Sequence, residues 1–222
     1  MKRIVQLTLY PLKAPRHGGQ LRCAAIARRY RQLGFEVETI AVMHDDAYRG
    51  ERARNDIVLP ASLPFWKQHL ARFIDLQTGD CLAGDASSFA AFSALLERLR
   101  PDVLQLEQPW LYPAVRRWLD GRADAARPHL VYSSQNIEAK LKRDEMPADA
   151  DPVAYQAEIR RVERLESDVA RAADLVLACT AEDLIELHAM AGADREHGNC
   201  ATGYGDNGCS WPQSRQRALN FG

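Results

Sequence analysis

The chain has 222 residues, 46% of them hydrophobic and 27% charged, with a formal net charge of −1. That size fits one sizeable domain, or one and a half, and that balance is ordinary for a soluble globular protein. The near-zero charge gives no electrostatic footing for nucleic acid or for an anionic membrane. Five cysteines, widely spread and without a C-x-x-C pair, argue against a disulfide framework or a zinc site and fit a reducing cytoplasm.

Met1-Lys2-Arg3 is basic, but the run behind it is interrupted by Gln6 and Thr8 and lacks a cleavage site. It predicts a first strand over Ile4–Leu9, not a signal peptide. No run approaches the ~18 apolar residues of a bilayer span. Gly18-Gly19 then stands where this strand hands over to a helix. Glycine permits a tight turn and a close ligand approach. The helix N-terminus behind it offers free N–H groups and a positive dipole end, suited to an anion such as phosphate. Two adjacent glycines are not the G-x-G-x-x-G dinucleotide signature.

Cys23, Ile26, Ala27, Tyr30 and Leu33 recur at helical spacing, and Gly34 caps that helix. Phe35–Met43 is a second strand, Ile57–Leu59 a third. A helix is expected over Phe65–Leu76, broken by Gly79, Gly84 and the polar cluster Asp85–Ser88. Phe89, Phe92, Leu95, Leu96 and Leu99 stripe the next helix, which Pro101-Asp102 ends. Val103–Leu106 is a fourth strand, running into Glu107-Gln108-Pro109-Trp110. A helix over Trp110–Leu119 and a fifth strand, Leu130–Ser133, follow, then Ser134-Gln135-Asn136-Ile137-Glu138. Pro152 opens a long helix to Ala172. Leu175–Ala178 is a sixth strand, and Thr180-Ala181-Glu182-Asp183 resembles a capping box before a helix to Met190.

Strands alternating with helices predict an α/β, Rossmann-like parallel sheet covered on both faces. Ligands of such sheets bind beyond the carboxyl ends of the strands, where His17-Gly18-Gly19, Glu107-Gln108-Pro109 and Gln135–Glu138 all fall. His17 is a candidate base toward an acceptor, and Glu107 and Glu138 candidate bases or hydroxyl ligands. The competing readings are a structural loop histidine and carboxylates favoured at helix N-termini. Trp110 and Tyr112 can stack on a sugar or pack on the next helix. Arg28-Arg29 and Arg116-Arg117 read as solvated faces, with peripheral membrane contact as the minority reading. Residues 1–190 form the expected domain. In 191–222 Leu219 is the only aliphatic Leu, Ile or Val, so that stretch is expected to be irregular. His197, Cys200 and Cys209 match no metal spacing, and no metal or cofactor is expected.

Taken together these motifs resemble the N-terminal domain of a family 4 (group 1) glycosyltransferase of the GT-B fold. The resemblance is carried by Pro15–Gly19 with Arg22, Leu33–Val37, Arg100–Val103, Glu107–Trp110, Gln135–Glu138, and Ala172–Val176 leading to Thr180–Asp183, over roughly residues 3–190. It implies one half of a two-domain clamshell. This half would bind a sugar or lipid-linked acceptor, and a C-terminal domain would bind the nucleotide-sugar. Gly18 and Gly19 would lie near the donor diphosphate, and Gln135, Asn136 and Glu138 would line the acceptor side. The tail reads like a shifted frame or a truncated product, so the chain alone is expected to be inactive. The alternatives are a non-catalytic Rossmann-type binding module and a nucleotide-dependent oxidoreductase. Against the latter stands the missing third glycine, although Asp45 and Asp46 lie near the second strand's end.

Overall fold

The computed structural model describes residues 1–44, 48, 50–62, 73–191 and, as backbone only, 196–199. It is an α/β fold built on one all-parallel sheet of seven strands. These are β1 Arg3–Thr8, β2 Glu36–His44, β3 Ile57–Leu59, β4 Val103–Leu106, β5 His129–Ser133, β6 Leu175–Ala178 and β7 Glu196–Asn199. Their order is β3-β2-β1-β4-β5-β6-β7, with Gln6 in register with Gln105 and Leu106 with Tyr132.

Among the described residues seven α-helices accompany the sheet: α1 Gly18–Gln32, α2 Ile74–Gly84, α3 Ala86–Leu99, α4 Tyr112–Asp120, α5 Glu138–Asp144, α6 Pro152–Ala172 and α7 Ala181–Ala191. Strand residues alternate between two buried layers, as the period of two requires. Ile4, Val103, Val131 and Leu177 pack with Ile26, Ala27 and Tyr30 of α1. Val5, Leu7, Leu104, Leu106, Leu130, Tyr132 and Val176 face the larger layer, with Leu82 of α2, Phe92 and Leu96 of α3, and Val162 and Val169 of α6. Among the described residues no helix is long and apolar enough to cross a membrane.

Three expectations change. Gly79 does not break a helix but lies inside α2, where a Cβ would come within 2.0 Å of the Trp110 carbonyl oxygen. The missing side chain lets α2 press on the 3-10 turn Pro109–Leu111. The preceding half of the helix expected over 65–76 lies mostly outside the described residues. Between Asn136 and the long helix, where the sequence marks no element, lies a short helix, α5, with no side-chain cap of its own. Within 191–222, expected to be irregular, Glu196–Asn199 form β7, which pairs with β6. An edge strand needs only a backbone partner, so its lack of aliphatic residues is no obstacle. Cys200 and Cys209 lie outside the described residues.

Trp110 and Tyr112 are buried, so both pack and neither is a free stacking platform. Arg117 lies over the Phe89 ring at 3.9 Å and donates to the Ala83 carbonyl. Arg28 and Arg29 are exposed.

Candidate functional site

The candidate residues gather at the carboxyl ends of β1, β4 and β5, around the start of α1. His17 is the N-cap: its extended backbone precedes Gly18, and its Nδ1 accepts from the Gln20 N–H at 3.5 Å. The His17 ring stands edge-on to Tyr10, 4.8 Å away. Gln20 was invisible as a site residue in the sequence, yet it is buried and secures the loop. Its Nε2 donates to the Pro11 carbonyl at 2.9 Å, and its Oε1 accepts from the Arg16 N–H at 2.8 Å.

The two glycines have different tasks. A Cβ at Gly19 would fall 2.5 Å from Tyr10 Oη and 2.6 Å from Gln135 Oε1, whereas a Cβ at Gly18 would meet nothing within 4 Å. Gly19 therefore admits the Tyr10–Gln135 pair, and Gly18 leaves the helix start open. The Gly18 and Gly19 N–H groups have no recorded acceptor among the described residues. Gln135 Nε2 donates to Tyr10 Oη and lies 3.3 Å from Cys23 Sγ. Burial pushes the Tyr10 hydroxyl far above its ordinary range, and burial with the nearby Glu107 carboxylate does the same to the Cys23 thiol. Both are neutral hydrogen-bonding groups at pH 7.

Beneath this loop runs a buried polar seam on the α1 face of the sheet. Arg22 Nη1 donates to Glu107 Oε2 at 3.0 Å, with side-chain exposures of 4% and 0%, and to Ser133 Oγ at 3.0 Å. The other Glu107 oxygen accepts from Gln6 Nε2 and, at 2.5 Å, from Gln105 Nε2. Gln105 Oε1 in turn accepts from the Tyr30 hydroxyl at 2.7 Å. Arg22 Nε and Nη2 are buried and have no partner among the described residues. Arg22 thus ties α1 to the ends of both β4 and β5. A buried pair of this kind contributes chiefly by fixing geometry, since desolvation offsets much of its attraction.

The candidate residues divide by exposure. His17, Gly18 and Asn136 are exposed, and Gly19 and Gln135 are half-buried. Glu107 is fully enclosed and Glu138 is 3% exposed, so neither carboxylate faces an open groove. Glu107 is the anchor of the seam, not a helix-terminal surface charge. Glu138 lies at the start of α5, where burial first and the Glu166 carboxylate second push its carboxyl up to about 8. Glu166 is raised to about 7, mainly by burial.

This pair sets a pH dependence. Both groups take up protons in the folded state above the ordinary value of 4.5, so the native chain binds more protons than the unfolded one between about pH 4.5 and 8. Their contribution to stability is therefore full below pH 4.5 and is lost as pH rises toward 8. The thermal midpoint is expected to fall between pH 5.5 and 8.5, and Glu138→Gln to flatten that fall. An unchanged slope in the variant would show that Glu138 carries no such proton.

Residues 17–198 match the model of the glycosyl transferase 4-like domain, which is more than half of the chain. The chain belongs to that family, and its fold is of the GT-B glycosyltransferase type. It is similar to sucrose-phosphate synthase from Thermosynechococcus elongatus, with a TM-score of 0.61 at 12% identity, covering 100% of this chain and 53% of that one. It is also similar to UGT2 of Phytolacca americana, solved with UDP-2fluoro-glucose and pterostilbene, with a TM-score of 0.51 at 12% identity, covering 93% and 56%. The chain therefore spans about half the length of these structures. No curated protein matches it in sequence.

Proposed function

We propose that this chain forms the acceptor side of a glycosyltransferase, passing a sugar from a nucleotide-sugar to a sugar or lipid-linked acceptor together with a donor-binding domain. The observation that carries this is the close approach of Gly19, in the first turn of α1, to Gln135, just beyond the end of β5, with Tyr10 between them. Departing diphosphate needs preorganised donors where its charge develops. The free Gly18 and Gly19 N–H groups and the dipole of α1 supply such donors. Exposed Asn136 and half-buried Gln135 offer amides to acceptor hydroxyls. The basic clamp that neutralises the rest of the charge would come from the second domain. Free thiols at Cys23, Cys81 and Cys179 suit a cytoplasmic setting, where nucleotide-sugars are also met. A lipid-linked acceptor would bring the exposed Arg28 and Arg29 face to a membrane surface.

The purified 222-residue chain is expected to give no sugar transfer from a panel of nucleotide-sugars, and to gain activity when a family donor domain is supplied in trans. Robust transfer by the chain alone would overturn this division of labour. The two glycines give a second test. Gly18→Ala should leave the thermal midpoint within about a degree, since Ala suits a helix and the site is open. Gly19→Ala must displace Tyr10 or Gln135 and should abolish acceptor-side binding while the fold persists. Equal effects of the two substitutions would contradict the separate roles.

A further inference from the structure

α5 begins immediately after Gln135 and Asn136, and its N-cap residue, Ile137, provides no side-chain bond. Its first turn is held instead from a distance. Glu166, in the middle of α6 and 0% exposed, accepts the Glu138 N–H on Oε1 at 2.7 Å and the Ala139 N–H on Oε2 at 2.9 Å. The same helix pins the other end of α5, where the Tyr155 hydroxyl donates to the Lys142 carbonyl at 2.9 Å. On the near side, Ser134 Oγ donates to the Asn136 carbonyl at 2.7 Å, and the Ser134 N–H donates to the Leu177 carbonyl at 2.8 Å. Half-buried Gln135 and exposed Asn136 thus form a short bridge between two fixed points: the end of β5 and a helix start bonded to one buried carboxylate.

Burying a carboxylate is costly unless it is fully bonded. Glu166 spends both oxygens on the backbone, which is an arrangement for fixing a main chain in place. We propose that Glu166 is a positioning residue, whose two bonds to the first turn of α5 set where Gln135, beside Gly19, and its neighbour Asn136 stand. The inference rests on the reading of Gln135 and Asn136 as acceptor-side residues.

The charge on Glu166 is what makes the hold strong, since hydrogen bonds to an ionised acceptor are about twice as strong as neutral ones. The groups facing it are Glu138 and Arg143 of α5, Glu186 of α7 and Tyr132 of β5, while Lys142 of α5 and Asp75 of α2 act on the neighbouring Glu138. Its carboxyl is held up to about 7, so neutral pH lies within its titration. Protonation weakens the acceptor toward both amides, and the first turn of α5 loosens as pH falls through about 7. This local effect runs opposite to the global one, in which the same raised groups favour the fold at lower pH. Opposite signs separate positioning from bulk stability.

The test is amide exchange and chemical shift by NMR on the full, ligand-free chain, with intrinsic rates corrected for pH. In the wild type, protection of Glu138 and Ala139 should rise at least about tenfold from pH 6 to pH 8, following one charge-assisted bond. The Gln135 and Asn136 amide shifts should titrate with the same midpoint. In Glu166→Gln, protection at 138 and 139 should drop about tenfold at pH 8 and lose its pH dependence, with the thermal midpoint at pH 8 no lower than in the wild type. Glu138→Gln, which leaves both bonds intact, should keep the protection at pH 8 and move the midpoint down. Wild-type shifts and protection in Glu166→Gln, or losses spread evenly over the core, would overturn the proposal. Because no ligand is present, a chain that fails to take part in sugar transfer would leave this result unaffected.

Discussion

Replacing Glu107 with alanine is expected to destabilise the chain by about 3–5 kcal/mol, the usual cost of leaving one partner of a buried ion pair alone. Arg22 would keep its charge in a site 4% exposed, Gln105 Nε2 would lose its acceptor, and Gln6 Nε2 would keep only the Cys23 carbonyl at 3.2 Å. Arg22→Ala should cost a similar amount, because the enclosed Glu107 carboxylate would then be unpaired. The double change Arg22→Met with Glu107→Leu should cost clearly less than either single change, since it removes both charges and keeps volume. Urea unfolding with unchanged slope measures all three. A loss below about 1 kcal/mol for Glu107→Ala would mean that water reaches the seam. The consequence for function follows from the connections of Arg22. Through Glu107 and Ser133 it fixes the start of α1 against the ends of β4 and β5, so the double variant should fold and yet bind ligands poorly at Gly18.

Gly79→Ala should be comparably severe, about 3 kcal/mol or more, at the upper end of overpacking costs. The added Cβ would sit 2.0 Å from the Trp110 carbonyl oxygen and 3.0 Å from its carbon. These are backbone atoms, so no side-chain rotation relieves the contact; α2 must move away from the 3-10 turn. That turn carries Trp110 and Leu111, both fully buried, and follows directly on Glu107. Gly121→Ala is the matched control. Its nearest contact would be the Trp118 carbonyl at 3.7 Å, an ordinary separation, and its stability should stay within about 0.5 kcal/mol. Thermal unfolding of the pair checks this. Equal midpoints would show that α2 shifts freely.

The sheet and its helices were legible because apolar stripes and short apolar strands alternate along most of the chain. What stayed hidden depends on partners far away in sequence. A glycine in mid-helix reads as a breaker until Trp110, some thirty residues on, is seen to need the space. α5 is seven residues long and takes its cap from Glu166, so no local signal marks it. The edge strand β7 has a sequence without aliphatic residues, and only its place beside β6 makes it a strand.

At the proposed site, the placement of His17, Gly18, Gly19 and Gln135 beyond strand ends is legible in the sequence; their part in binding is a proposal. Glu107 also falls at a strand end, and the structure encloses it in the polar seam. A usable signal did exist. Gln6, Gln105 and Glu107 occupy alternating positions in otherwise apolar strands, and Arg22 interrupts the apolar face of α1. Polar residues in step on one strand face indicate a buried network. Gln20 and Glu166 gave no comparable pattern.

The most direct measurement is amide chemical-shift mapping of the labelled full chain with millimolar UDP-, GDP- and dTDP-sugars and simple sugar acceptors. The account predicts shifts centred on Gly18, Gly19, Gln135 and Asn136, reduced in Gly19→Ala. Shifts gathered at the opposite, amino end of the strands, around Lys2, Asp102 and His129, or no response at the glycine loop to any ligand, would contradict it.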